Sequence, residues 1–173
     1  MAETAETGTT GKSAQVGRGI AIAGGVIVAA SSWLNWGAET RLLGPARSAY
    51  KIAAKFVIDS DAKPGGVNLG VVMLLLGIAT IAVAFSRVRR LGCVVIGLAA
   101  GVTAFLYVYQ VHRAIADHHV PLSLSDAVAI GPYVAVIGGA AAVIGGVLQL
   151  IPPGFWSSLS SDEEDAASTA GSP

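Results

Sequence analysis

Residues 67–85, VNLGVVMLLLGIATIAVAF, are followed by Ser86-Arg87-Val88-Arg89-Arg90 and then by residues 91–109, LGCVVIGLAAGVTAFLYVY. Neither long run contains a charge. At about 1.5 Å of rise per residue, each helix could cross a hydrocarbon core roughly 30 Å thick. A polar turn this short between them predicts an antiparallel helical hairpin, since neither run could leave and re-enter a bilayer with its backbone groups unpaired.

Working outward, the spacing predicts a further span at 127–151, with Ser125 or Asp126 as its cap, Pro132 tolerated in the first turns and Pro152-Pro153 ending it. On the other side, residues 19–36 read GIAIAGGVIVAASSWLNW and predict a short first span. Lys12 and Arg18 ahead of this run, with Val28-Ala29-Ala30 inside it, also fit a cleaved secretory signal. The run continues to two tryptophans and more spans follow, which favours an uncleaved helix. The fold expected is therefore all-α: a polytopic membrane protein with a four-transmembrane-helix bundle over 19–151, spans at about 19–36, 67–85, 91–109 and 127–151, and disordered tails at 1–18 and 152–173, the latter acidic at Asp162 to Asp165.

Composition agrees with a lipid solvent. Hydrophobic residues make up 53% of the 173, charged residues 13%, and mean hydropathy is +0.66. A formal net charge of zero supplies no basic field for nucleic acid. Cys93 is the only cysteine, so neither a disulfide nor a CxxC motif can form within the chain.

Three sets of residues stand out as candidate contacts. Trp33 and Trp36 close the first span and Trp156 follows the last, positions suited to aromatic anchors at the membrane interface. Between Pro45 and Ile58, Ala46, Ala49, Tyr50, Ala53, Phe56 and Val57 share one helical face while Arg47, Lys51 and Lys55 recur every four residues on another. That predicts an interfacial amphipathic helix at about 45–58 with its cations on lipid headgroups, or a solvated helix laid over the bundle. Finally, Gly97 and Gly101 in span three, and Gly138, Ala142 and Gly146 in span four, repeat at four-residue intervals, as do Gly131, Ala135 and Gly139. Small residues at this spacing let helix backbones touch, either inside the bundle or against a partner.

Catalytic and cofactor chemistry has little to stand on. Gly8-Thr9-Thr10-Gly11-Lys12-Ser13 ends like a phosphate-binding loop, but Glu6 stands where that motif needs glycine. His112, Asp117, His118 and His119 could gather around a metal only if the chain turned near Asp117, and interfacial histidines are the plainer reading. Leu91-Gly92-Cys93 has the look of a lipoprotein cleavage box yet lies deep in the chain, so a buried small hydrophobe is expected. No Asp, Glu, Lys, Arg or His falls inside the four predicted cores, which argues against proton relays, ion-coupled carriers and voltage sensors. No catalytic residue, cofactor or metal is therefore assigned.

The order of segments resembles small four-span membrane proteins of actinobacteria and their prophages, proteins without an assigned activity. The resemblance rests on Trp33-Leu34-Asn35-Trp36, on the basic turn Arg87 to Arg90 and on Gly138 to Gly146. The layout is also similar to claudin-like tetraspans, although the cysteine pair of their first loop is missing. Location is what such a resemblance implies: a bacterial cytoplasmic membrane, crossed several times. Function is expected to be non-enzymatic, an accessory, assembly or interaction subunit that binds lipid bilayer and either a second copy or another membrane protein through helices three and four. The alternative is a small pore-forming or permeability-regulating protein.

Orientation follows from charge. Raw counting gives six cations in the two longer loops against five at the termini and tight turn, but Arg87, Arg89 and Arg90 sit closest to two helix ends and favour cytoplasmic termini. A membrane-impermeant reagent should accordingly label the 37–66 loop in intact cells. Protection until lysis would establish the reverse topology.

Overall fold

The structure is a computed structural model that describes residues 7–39, 45–59, 66–86, 89–117, 119 and 121–150. Over these the chain is mostly helical, with α1 (Thr7–Ser31), α2 (Leu69–Ala84), α3 (Arg89–Asp117), the single turn α4 (Leu124–Ala127) and α5 (Ile130–Leu148). The four long helices form a ring in which α1 packs on α2 and α5, and α3 packs on the same two. The segments joining α1 to α2 and α3 to α5 meet at one end, where Ala38 N–H donates to Ala127 O at 3.0 Å.

Two helices, Leu91–Asp117 and Ile130–Leu148, are long and apolar enough to cross a membrane, not the four expected. The apolar parts of the others, Gln15–Ser31 and Leu69–Ala84, are shorter. Backbone pairing trims them. Ahead of α2, Val67 O accepts from Ala54 N–H and Leu69 N–H donates to Ile52 O, both at 2.8 Å, so residues 67–68 are held extended. At the end of α1 the chain turns at Ser32 to Leu34 and enters a strand, β1 (Asn35–Gly37). α5 starts at Ile130 instead of 127 because Val128 bridges to Gly37.

The amphipathic helix expected at 45–58 is not an α-helix. Arg47–Ser48 is a strand, β2, antiparallel to β1, and two 3-10 turns follow at Ala49–Lys51 and Ala54–Val57. Ala53 between them bridges to Asn68, and that sheet-type pairing is incompatible with a continuous helix. A second correction concerns the 1–18 tail, because α1 already begins at Thr7. Gly17 packs into α5 so closely that a Cβ there would lie 2.9 Å from Gly145 O, and Arg18 places its guanidinium carbon 4.0 Å from the centre of the Phe85 ring. Those contacts support the N-terminal turns. Residues 151–173 lie outside the described residues.

The helices meet through glycine. A Cβ on Gly24 of α1 would sit 2.5 Å from Ala142 N and 2.6 Å from Gly138 O, and one on Gly145 would sit 2.5 Å from both Ala21 N and Gly17 O. Gly25 and Gly77 do the same between α1 and α2, and Gly97 and Gly139 between α3 and α5. Every buried residue of α5 is Gly, Ala or Pro. Backbone thus lies on backbone, and dispersion and weak Cα–H···O contacts accumulate along each seam. Gly24→Leu should lower stability in mixed-micelle unfolding by about 2–4 kcal/mol, since overpacking here displaces main chain. Gly19→Ala, where a Cβ meets nothing within 4 Å, should be neutral or stabilising.

Candidate functional site

The described polar and aromatic groups concentrate at the end of the ring where the loops meet. Because β1 pairs with β2, Trp36 is turned inward and is fully buried. Its Nε1–H donates to Ser31 O at 2.8 Å, and its ring meets Tyr107 of α3 edge-on with centroids 5.1 Å apart. On the far side the ring fills the space a Cβ on Gly131 would need. Phe56 from the second 3-10 turn joins at 5.8 Å from Tyr107. One turn further along α3, Gln110 Nε2–H donates to Ile58 O at 2.8 Å and fastens the loop from beneath.

Trp36 is therefore a core residue and not the interface anchor its spacing suggested. Trp33 is 61% exposed, with its ring 6.3 Å from that of Tyr50. In one helix the two tryptophans would share a side. The helix ends at Ser31, and strand pairing separates them. Two tyrosines at the same end, Tyr109 of α3 and Tyr133 of α5, are likewise exposed and were not singled out in the sequence. Their position near the helix ends was the available signal. Trp156 lies outside the described residues.

The glycine rows are occupied within the chain. Gly138 and Ala142 face α1 and Gly97 faces α5, while Gly146 is buried. Gly101 lends its backbone to the seam with Gly139, but a Cβ on Gly101 itself would meet nothing within 4 Å. At Gly97, Gly138 and Gly139 the row is thus filled by neighbouring backbone of the same chain, while Gly101 is open.

Arg47, Lys51 and Lys55 are all exposed but sit on three different elements. Of the histidines, His112 is exposed on α3, His119 lies in the following turn with Nδ1 2.8 Å from Ala116 O, and His118 falls outside the described residues. Among the described residues, no three His, Cys, Asp or Glu side chains gather as a metal site would require. Residues 8–13, compared above with a phosphate-binding loop, belong to helix α1. Cys93 is buried and its Sγ lies 3.9 Å from Thr80 O.

The chain matches no family model, no curated protein and no solved structure. The arrangement is that of a helical protein with two helices able to cross a membrane and a small aromatic cap at one end.

The two tryptophans should respond differently to substitution. Trp36→Phe deletes the bond to Ser31 and opens a gap beside Gly131, which should cost about 1–3 kcal/mol. Trp33→Phe should change stability by less than about 0.5 kcal/mol. Equal losses, measured by unfolding in mixed micelles, would refute the structural distinction.

Proposed function

We propose that the chain is a multi-pass membrane protein in which all four long helices cross the bilayer, and that it acts there as a non-enzymatic accessory or interaction subunit. One observation carries the reading. The ring of helices is inverted relative to a water-soluble bundle, with small residues inside and large aliphatic ones outside. On α3 the exposed residues are Leu91, Val95, Leu98, Val102, Phe105 and Tyr109, three or four apart, while the buried ones include Cys93, Gly97, Ala100 and Ala104. On α5, Ile130, Tyr133, Ile137, Ile144 and Val147 face out and Gly and Ala face in. α1 and α2 follow the rule in part: Val16 and Val26 are exposed on the first and Leu75 and Ile78 on the second, while Val28, Leu69 and Met73 are buried with the glycines.

Magnitude decides the solvent. Each large apolar side chain left in water forgoes about 1.5–3 kcal/mol, so these stripes would together cost on the order of tens of kcal/mol. A folded domain has only about 5–15 kcal/mol of stability in all. Lipid removes the penalty. The stripes are also similar in height: at ~1.5 Å per residue the helical stretches Val16 to Ser31 and Leu69 to Ala84 rise about 22 Å, and Leu91 to Tyr109 and Ile130 to Val147 about 26 Å. A common belt supports membrane insertion of α1 and α2 despite their shorter apolar segments, because a few ångströms of mismatch cost little.

The accessory reading is supported by the solidity of the interior, where helix seams close on glycine. A partner would then meet the outer stripes or the cap. Spin labels at Val26, Ile78, Leu98 and Ile137 in reconstituted vesicles should collide more with oxygen than with a water-soluble nickel chelate. The opposite preference at Val26 and Ile78 would leave only α3 and α5 in the membrane and overturn the four-span proposal.

A further inference from the structure

The described cations of the first loop divide into two groups, Arg47 on one side of the cap and Lys51 with Lys55 beside the start of α2. Arg47 belongs to β2, which pairs with Asn35–Gly37; a Cβ on Gly37 would lie 3.6 Å from Arg47 Cβ and 3.7 Å from the Tyr107 hydroxyl, which places Arg47 over the α3 and α5 side. Lys51 ends a 3-10 turn that packs on α2, where Tyr50 covers Gly70 so tightly that a Cβ there would lie 2.8 Å from the Tyr50 ring. Lys55 comes from the next turn, which is pinned to the start of α2 by the bond from Ala54 N–H to Val67 O at 2.8 Å. Its side chain reaches to within 4.0 Å of the Cβ position of Gly66.

Beside these lysines the cap exposes apolar surface that the helical pattern did not anticipate. Ile58 is 83% exposed and Val67 is 59% exposed, one residue past Lys55's neighbour Gly66. Val67 heads the outward stripe of α2, so this edge stands at the level where the helix enters the hydrocarbon. Cationic nitrogen above exposed aliphatic carbon is the polarity of a phospholipid read from the protein side. Asp59 is the single acid among described residues 45–59, against three cations, and it is engaged in an interaction of its own.

We propose that Lys51, Lys55, Ile58 and Val67 form a binding surface for an anionic phospholipid of the cap-side leaflet, the two ammonium groups taking its phosphate and Ile58 and Val67 its upper acyl chain. The proposal rests on the membrane reading above. It goes beyond a basic loop attracted to a surface because it excludes Arg47.

The test reconstitutes the full chain into vesicles of mixed phosphatidylglycerol and phosphatidylcholine, confirms retention after an alkaline wash, and measures by native mass spectrometry which lipid accompanies the released protein. Phosphatidylglycerol should be enriched over its share in the vesicle, about fivefold for each lysine engaged at low salt, and the enrichment should weaken as salt rises. Lys51→Gln with Lys55→Gln should return the bound lipid to the vesicle's composition, while Arg47→Gln should leave the enrichment in place. An equal loss in the Arg47 variant would overturn the site in favour of diffuse charge over the whole cap. Erasure by added inorganic phosphate would make it a site for a soluble anion. Retention in the vesicle without any enrichment refutes the lipid site alone, whereas loss of the protein on washing removes the membrane reading and the site together.

Discussion

Direct contact between the backbones of α1 and α5 is the constraint on which the rest depends. Gly24, Gly138 and Gly145 have no room for a Cβ, and the positions their side chains would take are filled by main-chain nitrogen and oxygen of the facing helix. In hydrocarbon there is no hydrophobic drive to bring helices together, so close packing over a long seam must hold them. Once α1 and α5 are locked, α2 and α3 close the ring through the shorter seams at Gly25 with Gly77 and Gly97 with Gly139. Along α5 the larger residues are thereby left on the outside, while Trp36, Leu69 and Met73 fill the core elsewhere.

That displacement links packing to solvent. A helix whose inward face is Gly, Ala and Pro, as in α5, has only its outward face left for Ile, Val and Tyr. The same side chains that would make the surface insoluble in water make it compatible with lipid. Polar groups within the helices are handled locally. Thr80 Oγ1–H donates to Leu76 O at 2.9 Å, Ser31 Oγ–H to Val28 O at 2.7 Å and Thr103 Oγ1–H to Ala99 O at 2.8 Å, each returning its bond to the helix's own backbone. Among the described residues the exceptions are two buried amide oxygens, Gln110 Oε1 and Gln149 Oε1, which have no hydrogen-bond partner.

The cap answers a different requirement. Residues 35–39 and 45–59 lie at one side of the ring, and a segment outside the helices would expose its backbone unless it were paired. It pairs three times: with itself as β1 and β2, with the start of α2 through Ala53, and with the segment before α5 through Gly37. Trp36 and Tyr107 then fill the space beneath, and Gln110 holds the last turn from below. A rigid cap is what allows individual lysines, rather than a sliding helix face, to have fixed positions relative to the entry of α2.

The sequence by itself determined that the chain is mostly helical, where the hairpin between α2 and α3 turns, and that α5 carries rows of small residues, but not that Gly17, Gly24 and Gly25 of α1 and Gly77 of α2 would form the facing surfaces. Uncharged runs and four-residue spacing are local properties, and no distant residue was needed to read them from Val67 to Tyr109 or from Gly138 to Gly146. The tertiary structure decided the rest. Whether a glycine row faces a neighbour within the chain depends on which helix stands opposite, and for Gly138 and Ala142 that helix is α1, more than a hundred residues away. The 45–58 segment has helical periodicity, yet backbone bonds to Val67, Asn68 and Leu69 outweigh so short a helix, whose own nucleation is costly. Trp33 and Trp36 look alike in sequence, and only the strand pairing of Asn35–Gly37 with Arg47–Ser48 leaves one exposed and sends the other into the core, because a pairing partner lies beyond the reach of any local pattern.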